Sequence, residues 1–267
     1  MGGWRSIRGL SRHARFCVAR RSAWSNPRGS VMAKWIEELQ VEIHRARGAQ
    51  EAFDHIGKAA RHLGFERWAY GMRLPLPFTR PRFVTMNNYD DRWAQRYQSK
   101  GYLGIDPTVL HGTRSMVPLV WSDLLFRDAP QMWAEARSFG LCVGWAQSCF
   151  DGHGRVGMLT LARSHEKLTR RELLAHEPLL RWLANLAHMT LSSRLPRARH
   201  DAAVALTDRQ VEVLKWSADG KTCEEAAAIL GISAHTVHFH VKNAVSRLDA
   251  ANKLAAVARA TKLGLLS

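Results

Sequence analysis

Residues 207–248 read TDRQVEVLKWSADGKTCEEAAAILGISAHTVHFHVKNAVSRL, and this stretch decides the fold of the C-terminal quarter of the chain. Thr207-Asp208-Arg209-Gln210 and Thr222-Cys223-Glu224-Glu225 each set a Thr three residues ahead of a Gln or Glu. That spacing is a capping box, in which the two side chains accept backbone N–H groups left free at a helix start. Two helix starts are thereby predicted. The second helix runs over Glu224–Leu230, Gly231 supplies the turn, and Ser233 caps a third helix. Two short helices with a tight Gly-containing joint are a helix-turn-helix.

On a helical wheel of residues 234–248, Val237, Val241, Ala244, Val245 and Leu248 share one face. His235, Thr236, Phe239, Lys242, Asn243 and Ser246 occupy the other. A DNA major groove suits that second face: Lys reaches phosphates or guanine, Asn pairs with adenine, and an exposed Phe touches a thymine methyl. Periodicity alone does not separate this from an ordinary solvated face. His235, His238 and His240 do not make a metal site, because one helix splays the third ligand away.

Upstream, Arg194–Ala205 contains Pro196, three arginines and little periodicity, which marks a linker. Before it, helical spacing covers 34–47 and 49–63, and strands are predicted at 66–73 and 82–87 around the turn Pro75–Pro81. Helices are expected at 91–99, 123–127 and 130–139. A hairpin of strands 142–150 and 156–163 turns through Asp151-Gly152-His153-Gly154, and a long helix from Thr169 to Ser193 closes the unit. The fold class is α+β: an N-terminal α/β/α sandwich around a mostly antiparallel sheet, then an all-α four-helix helix-turn-helix domain. The domain bounds read as a basic leader over 1–31, a mixed α/β domain over 32–193, a linker over 194–205 and the helix-turn-helix domain over 206–267.

A chain of 267 residues has room for two modest cores. Its net charge of +16 argues little for DNA, because residues 1–31 carry seven arginines and no acid, while residues 201–267 balance eight Lys/Arg against seven Asp/Glu. Cys17, Cys142, Cys149 and Cys223 are scattered without metal-ligand spacing, as expected of a reduced, cytoplasmic protein. No apolar run is long enough to span a bilayer, so no membrane association is expected. No phosphate-cradling glycine loop, metal-ligand run or G-x-S-x-G is present, so the chain reads as no enzyme. A phosphorylated receiver domain would need alternating parallel strands and helices, unlike the antiparallel pattern here.

Residues 206–265 resemble the DNA-binding domain of the LuxR family, with Leu206, Thr207, Leu214, Gly220, Lys221, Thr222, Ile229, Leu230, Ile232, Ser233, Thr236, Val237, His240, Val241, Asn243 and Leu248 at the family's positions. The resemblance implies that His238, Phe239 and Lys242 lie at base edges or nearby phosphates, with Lys221, Thr222, Thr236 and Asn243 completing the DNA-facing set. It also implies that a fourth helix, about 252–263, helps dimerise. Two departures are Gln210, where the family usually has Glu, and Ala226, where it has a larger aliphatic residue.

Tyr89, Trp93 and Tyr97 fall at i, i+4 and i+8, an aromatic stripe that serves either a plain core or a pocket. The stripe precedes Tyr102-Leu103-Gly104-Ile105-Asp106-Pro107 and Val120-Trp121-Ser122-Asp123, then Phe139-Gly140-Leu141, Gly144 and Gly157-Met158-Leu159-Thr160-Leu161-Ala162. Together these resemble the autoinducer-binding domain of quorum-sensing LuxR regulators, over about residues 35–190. The implied ligand is an N-acyl homoserine lactone. Asp106 would accept its amide N–H, Trp93 donate to the lactone carbonyl, Tyr89 to the acyl carbonyl, and Thr160 add a further hydrogen bond, with Tyr97 and Trp121 as walls. Ser148 departs from the proline common in the family. The implied protein is a homodimeric transcription regulator on a two-fold symmetric double-stranded site, with no cofactor or metal. Contact with RNA polymerase, activation versus repression, and a non-lactone ligand or none stay open.

Met32 stands just before the helical pattern of Trp35, Ile36, Leu39 and Ile43, so translation is expected to start there. Mass spectrometry of the native protein then yields no peptides from residues 1–31; their detection overturns the expectation.

Overall fold

Strand Arg67–Arg73 (β1) buries Trp68, Tyr70 and Met72 on one side and turns Ala69, Gly71 and Arg73 to the other, the two-residue period of a pleated strand. It pairs antiparallel with Phe83–Asn87 (β2) and with Val156–Arg163 (β5), which pairs in turn with Val143–Phe150 (β4). Leu119–Val120 (β3) completes a five-stranded sheet in the order β2-β1-β5-β4-β3. The structure is a computed structural model that describes residues 27–195 and 204–266.

Register assigns every side chain to a face. Trp68, Leu161 and Trp145 lie in one row, and Tyr70, Leu159 and Gln147 in the next. This face is covered by helices Ala49–His62 (α2) and Arg170–Arg194 (α6), whose Phe53, Ile56, Leu180, Leu183, Ala187 and Leu191 are buried. The opposite face, with Ala69, Thr160 and Ala146 in one row and Gly71, Met158 and Ser148 in the next, is overlaid by Asp91–Ser99 (α3), a 3₁₀ turn at Tyr102–Gly104, Pro107–Gly112 (α4) and Pro130–Ser138 (α5). The expected α/β/α layering and antiparallel sheet are both present.

Some expected elements differ. Helix Pro27–Arg45 (α1) begins five residues ahead of Met32, so residues 27–31 of the expected leader are helical; Pro27 occupies a first turn, where its missing N–H costs nothing. Residues 1–26 and 196–203, most of the leader and linker, lie outside the described residues. The helix expected at 123–127 is a set of turns. Ser122 accepts Leu125 N through its hydroxyl and Phe126 N through its carbonyl, a local alternative that a segment this short does not overcome. Helix α4 and strand β3, too short for periodicity, were not expected.

In the C-terminal domain both capping boxes close: Gln210 N donates to Thr207 Oγ1 at 3.3 Å and Glu225 N to Thr222 Oγ1 at 3.2 Å, each with its reciprocal bond. They open Asp208–Ala218 (α7) and Cys223–Leu230 (α8). Gly231, with φ of 65°, makes the left-handed turn, Ser233 caps Ala234–Arg247 (α9), and Lys253–Lys262 (α10) follows. Gln210 is itself buried, so a neutral amide closes the first box without desolvating a carboxylate. Val213, Val237 and Val241 form one core cluster, and Leu214, Ala244 and Leu248 another.

Leu183 of α6 is fully buried beneath the sheet. Urea denaturation of Leu183→Ala is expected to show a loss of about 2–5 kcal/mol from lost burial plus a cavity; an unchanged midpoint would contradict this packing.

Candidate ligand cavity and nucleic-acid interface

A cavity of about 710 Å³ opens between the sheet and the α3–α5 layer, a size suited to a small molecule. Tyr89, Trp93, Tyr97, Asp106, Trp121 and Thr160 all line it. Trp93 and Tyr97 project from successive turns of α3, with ring centroids 5.7 Å apart. Tyr89 precedes that helix, whose start is capped by Asp90 accepting Arg92 N at 2.9 Å. Trp121 stands edge-on to Phe126 and Trp133, at 5.8 and 6.0 Å, and those two rings stack at 4.4 Å. The aromatic cluster therefore makes a rigid wall as well as a core.

Asp106 sits at the N-cap of α4. Its Oδ1 accepts Thr108 N at 2.9 Å and Thr108 Oγ1 at 2.6 Å, and its Oδ2 accepts the Tyr97 hydroxyl at 2.9 Å. Burial raises the Asp106 carboxyl above its ordinary range, against the opposing pull of the Thr108 and Tyr97 hydrogen bonds. Burial, then the charge of Asp106, pushes the Tyr97 and Tyr89 hydroxyls up as well, so both stay protonated donors near neutrality. Tyr97, expected only as a wall, also holds the carboxylate in place.

Sequence reasoning missed several lining groups. Thr108, Gly112, Val156 and Met158 line the cavity, as does Ser148. The two-residue period from Thr160 back to Met158 and Val156 was the available signal; Ser148 needed the β4–β5 register. Among the buried polar atoms with no hydrogen-bond partner in the described residues, Trp121 Nε1 and Ser148 Oγ belong to residues lining this cavity. Orphaned buried donors are costly and rare, and their presence here favours a bound molecule.

On α9, His238, Phe239 and Lys242 are exposed, with Phe239 at 57% for a large apolar ring. Asn243 is half-buried on the same helix. Thr236, also half-buried, shares a 2.8 Å hydrogen bond with the cap Ser233. Thr222 spends its hydroxyl on the α8 cap, and Lys221 just before it lies 3.9 Å from Glu225. His238 Nε2 is likewise 3.9 Å from Glu224 on α8, so two of the expected DNA-facing side chains stand beside carboxylates.

Residues 48–191 match the family described as "Autoinducer binding domain", and residues 204–260 match "Bacterial regulatory proteins, luxR family". The chain is 41% identical over 236 residues to the transcriptional activator protein SolR of Ralstonia nicotianae, covering 88% of this chain and all of that protein. Two structures of SdiA, one from Escherichia coli and one in complex with octanoyl-rac-glycerol, align with a TM-score of 0.75 at 31% identity, over 88% of this chain and 99% and 96% of theirs. CepR2 from Burkholderia cenocepacia, described as an N-acylhomoserine lactone dependent LuxR family transcription factor, aligns with a TM-score of 0.59 at 30% identity over 63% of this chain and 99% of its own. With both modules matched in order along one chain, the protein belongs to the LuxR family of bacterial transcription regulators.

Proposed function

We propose that the protein is a quorum-sensing transcription factor that holds an N-acyl homoserine lactone in the cavity and binds a two-fold symmetric DNA site as a homodimer. One observation carries the ligand reading: an acceptor, Asp106, and three donors, Tyr89, Trp93 and Thr160, line one cavity whose other walls are largely apolar. In this reading the free valence of Asp106 Oδ2 accepts the ligand amide N–H, the Trp93 indole donates to the lactone carbonyl and Tyr89 to the acyl carbonyl. Thr160 adds a further bond, while Tyr97 and Trp121 exclude water. The lactone dependence named for CepR2 supports the same chemistry.

The SdiA complex favours a second reading, an acyl ester of a small polyol, which has no amide N–H. Asp106 would then accept a ligand hydroxyl. Expressing the chain with and without a panel of acyl homoserine lactones and octanoylglycerol, then identifying the retained molecule by mass spectrometry, separates the two. A retained lactone with raised soluble yield supports the first; a retained glycerol ester, or equal yield and nothing retained, overturns it.

Ligand binding would stabilise the sensing domain and its dimer, setting two α9 helices at the spacing of two half-sites. His238, Phe239 and Lys242 would meet bases and phosphates, with Thr236 and Asn243 beside them and Lys221 and Thr222 at the start of α8. The name of SolR supports activation, and hence contact with RNA polymerase, in the cytoplasm where DNA is reached. No helix of the described residues is long and apolar enough to cross a membrane.

Two further outcomes are expected. Because the folded state holds the Asp106 carboxyl above its ordinary 3.8, wild-type stability falls as pH rises from that value through the raised one. Ligand-free Asp106→Asn should therefore be at least as stable as wild type at pH 7 in urea denaturation, with the advantage gone at pH 3.5. The same variant should bind the lactone about 10–100-fold more weakly, as loss of a hydrogen bond to a charged group implies. In electrophoretic or fluorescence titrations of DNA, Lys242→Ala should weaken binding across sequences and reduce the salt slope by about 1; an unchanged slope removes Lys242 from the phosphate contacts.

A further inference from the structure

Ser148 is 2% exposed, its hydroxyl has no hydrogen-bond partner among the described residues, and it lines the ligand cavity. Strand register puts it on the cavity face: it stands opposite Met158, one pleat along from the Ala146–Thr160 pair. Diagonal neighbours in an antiparallel pair lie about 7–8 Å apart, so Thr160 and Ser148 present their hydroxyl-bearing side chains to the cavity from backbone positions about that far apart. Gly112, the last residue of α4, closes over Ser148. A Cβ at Gly112 would fall 2.4 Å from Ser148 Oγ and 3.0 Å from Met158 Sδ. Asp106 caps the start of that helix, and Gly112, against Ser148, ends it about 9 Å further along the axis. The hydroxyl thus stands past the polar head of the cavity, where a ligand tail would begin.

A bare hydrocarbon tail leaves this hydroxyl desolvated and unpaired, which is costly. An oxygen on the tail relieves it, since a serine hydroxyl donates to an oxo group and donates to or accepts from a hydroxyl. The third acyl carbon lies two bonds beyond the acyl carbonyl. Two hydrogen bonds of about 2.8 Å, one from Thr160 and one from Ser148, can bridge their separation through oxygens on those two carbons.

We propose that Ser148 makes the cavity selective for acyl tails bearing an oxo or hydroxyl group at the third carbon over bare tails of equal length. This rests on the lactone reading of the cavity. The full chain is expressed with an equimolar mixture of octanoyl-, 3-oxo-octanoyl- and 3-hydroxyoctanoyl-homoserine lactone, and the retained ligands are quantified by mass spectrometry. Wild type should favour an oxygenated lactone about tenfold, and Ser148→Ala should bring the ratio near one while still retaining octanoyl lactone. Ser148→Cys, similar in size with a weaker donor, should give an intermediate ratio and serves as the readout if Ser148→Ala is insoluble. Equal or greater retention of the bare octanoyl lactone by wild type, or the wild-type ratio in the soluble variant, overturns the proposal while leaving the lactone reading standing. Retention of no lactone by wild type overturns both.

Discussion

Asp106 caps α4 and faces the cavity, and these two tasks compete for one carboxylate. The cap fixes Oδ1 on Thr108, while Tyr97 reaches from α3 to hold Oδ2. Burial outweighs the hydrogen bonds from Thr108, Tyr97 and Val109, and the carboxyl is raised. Helices α3 and α4 are thereby tied to each other through a group that another donor would stabilise. Helix α4 is only six residues long, and this contact sets its start together with Pro107 in the first turn and the Asp106 N–H bond to the Tyr102 carbonyl.

The sheet beneath solves a different problem. Both of its faces are covered, so its strands cannot alternate plainly between apolar and polar residues. The helix face carries Trp68, Tyr70, Met72, Leu159, Leu161 and Trp145, and the cavity face, beside Met158, carries mostly small or polar side chains: Ala69, Gly71, Ala146, Ser148 and Thr160. Small residues on one face leave the volume that the aromatic rings of α3 and α5 then wall in. The size of the cavity is a consequence of strand composition read in register.

How much of this was legible follows from the range of each signal. Capping boxes are local, so Thr207 with Gln210 and Thr222 with Glu225 announced α7 and α8, and the Gly231–Ser233 joint announced α9, all within a few residues of their observed places. The β4–β5 hairpin and α6 were equally local. Helix α4 and strand β3 were not, since a six-residue helix and a two-residue strand show no period and exist because Asp106 and the β4 edge hold them. The six cavity residues named from the resemblance all line it, yet the role of Tyr97 as donor to Asp106 and the orphaned hydroxyl of Ser148 required contacts between elements far apart in sequence.

The bulk charge of the chain points at the wrong end for DNA, whereas the exposed face of α9 combines a bare Phe239 with Lys242 and His238. Specificity by base edges needs few charges, and the glutamates of α8 stand beside Lys221 and His238. A DNA module that weak on electrostatics alone gains more from being paired with a second copy than one clamped by a basic patch. In the proposed reading, the N-terminal domain controls that pairing. Its cavity carries a raised carboxyl and two orphaned donors, costs that a ligand able to satisfy them removes. Whatever binds the folded form alone shifts the folding balance by RT ln(1 + [L]/Kd), about 2.7 kcal/mol at a hundredfold excess over Kd. In a domain of ordinary marginal stability a shift of that size is enough to decide how much folded protein exists to dimerise.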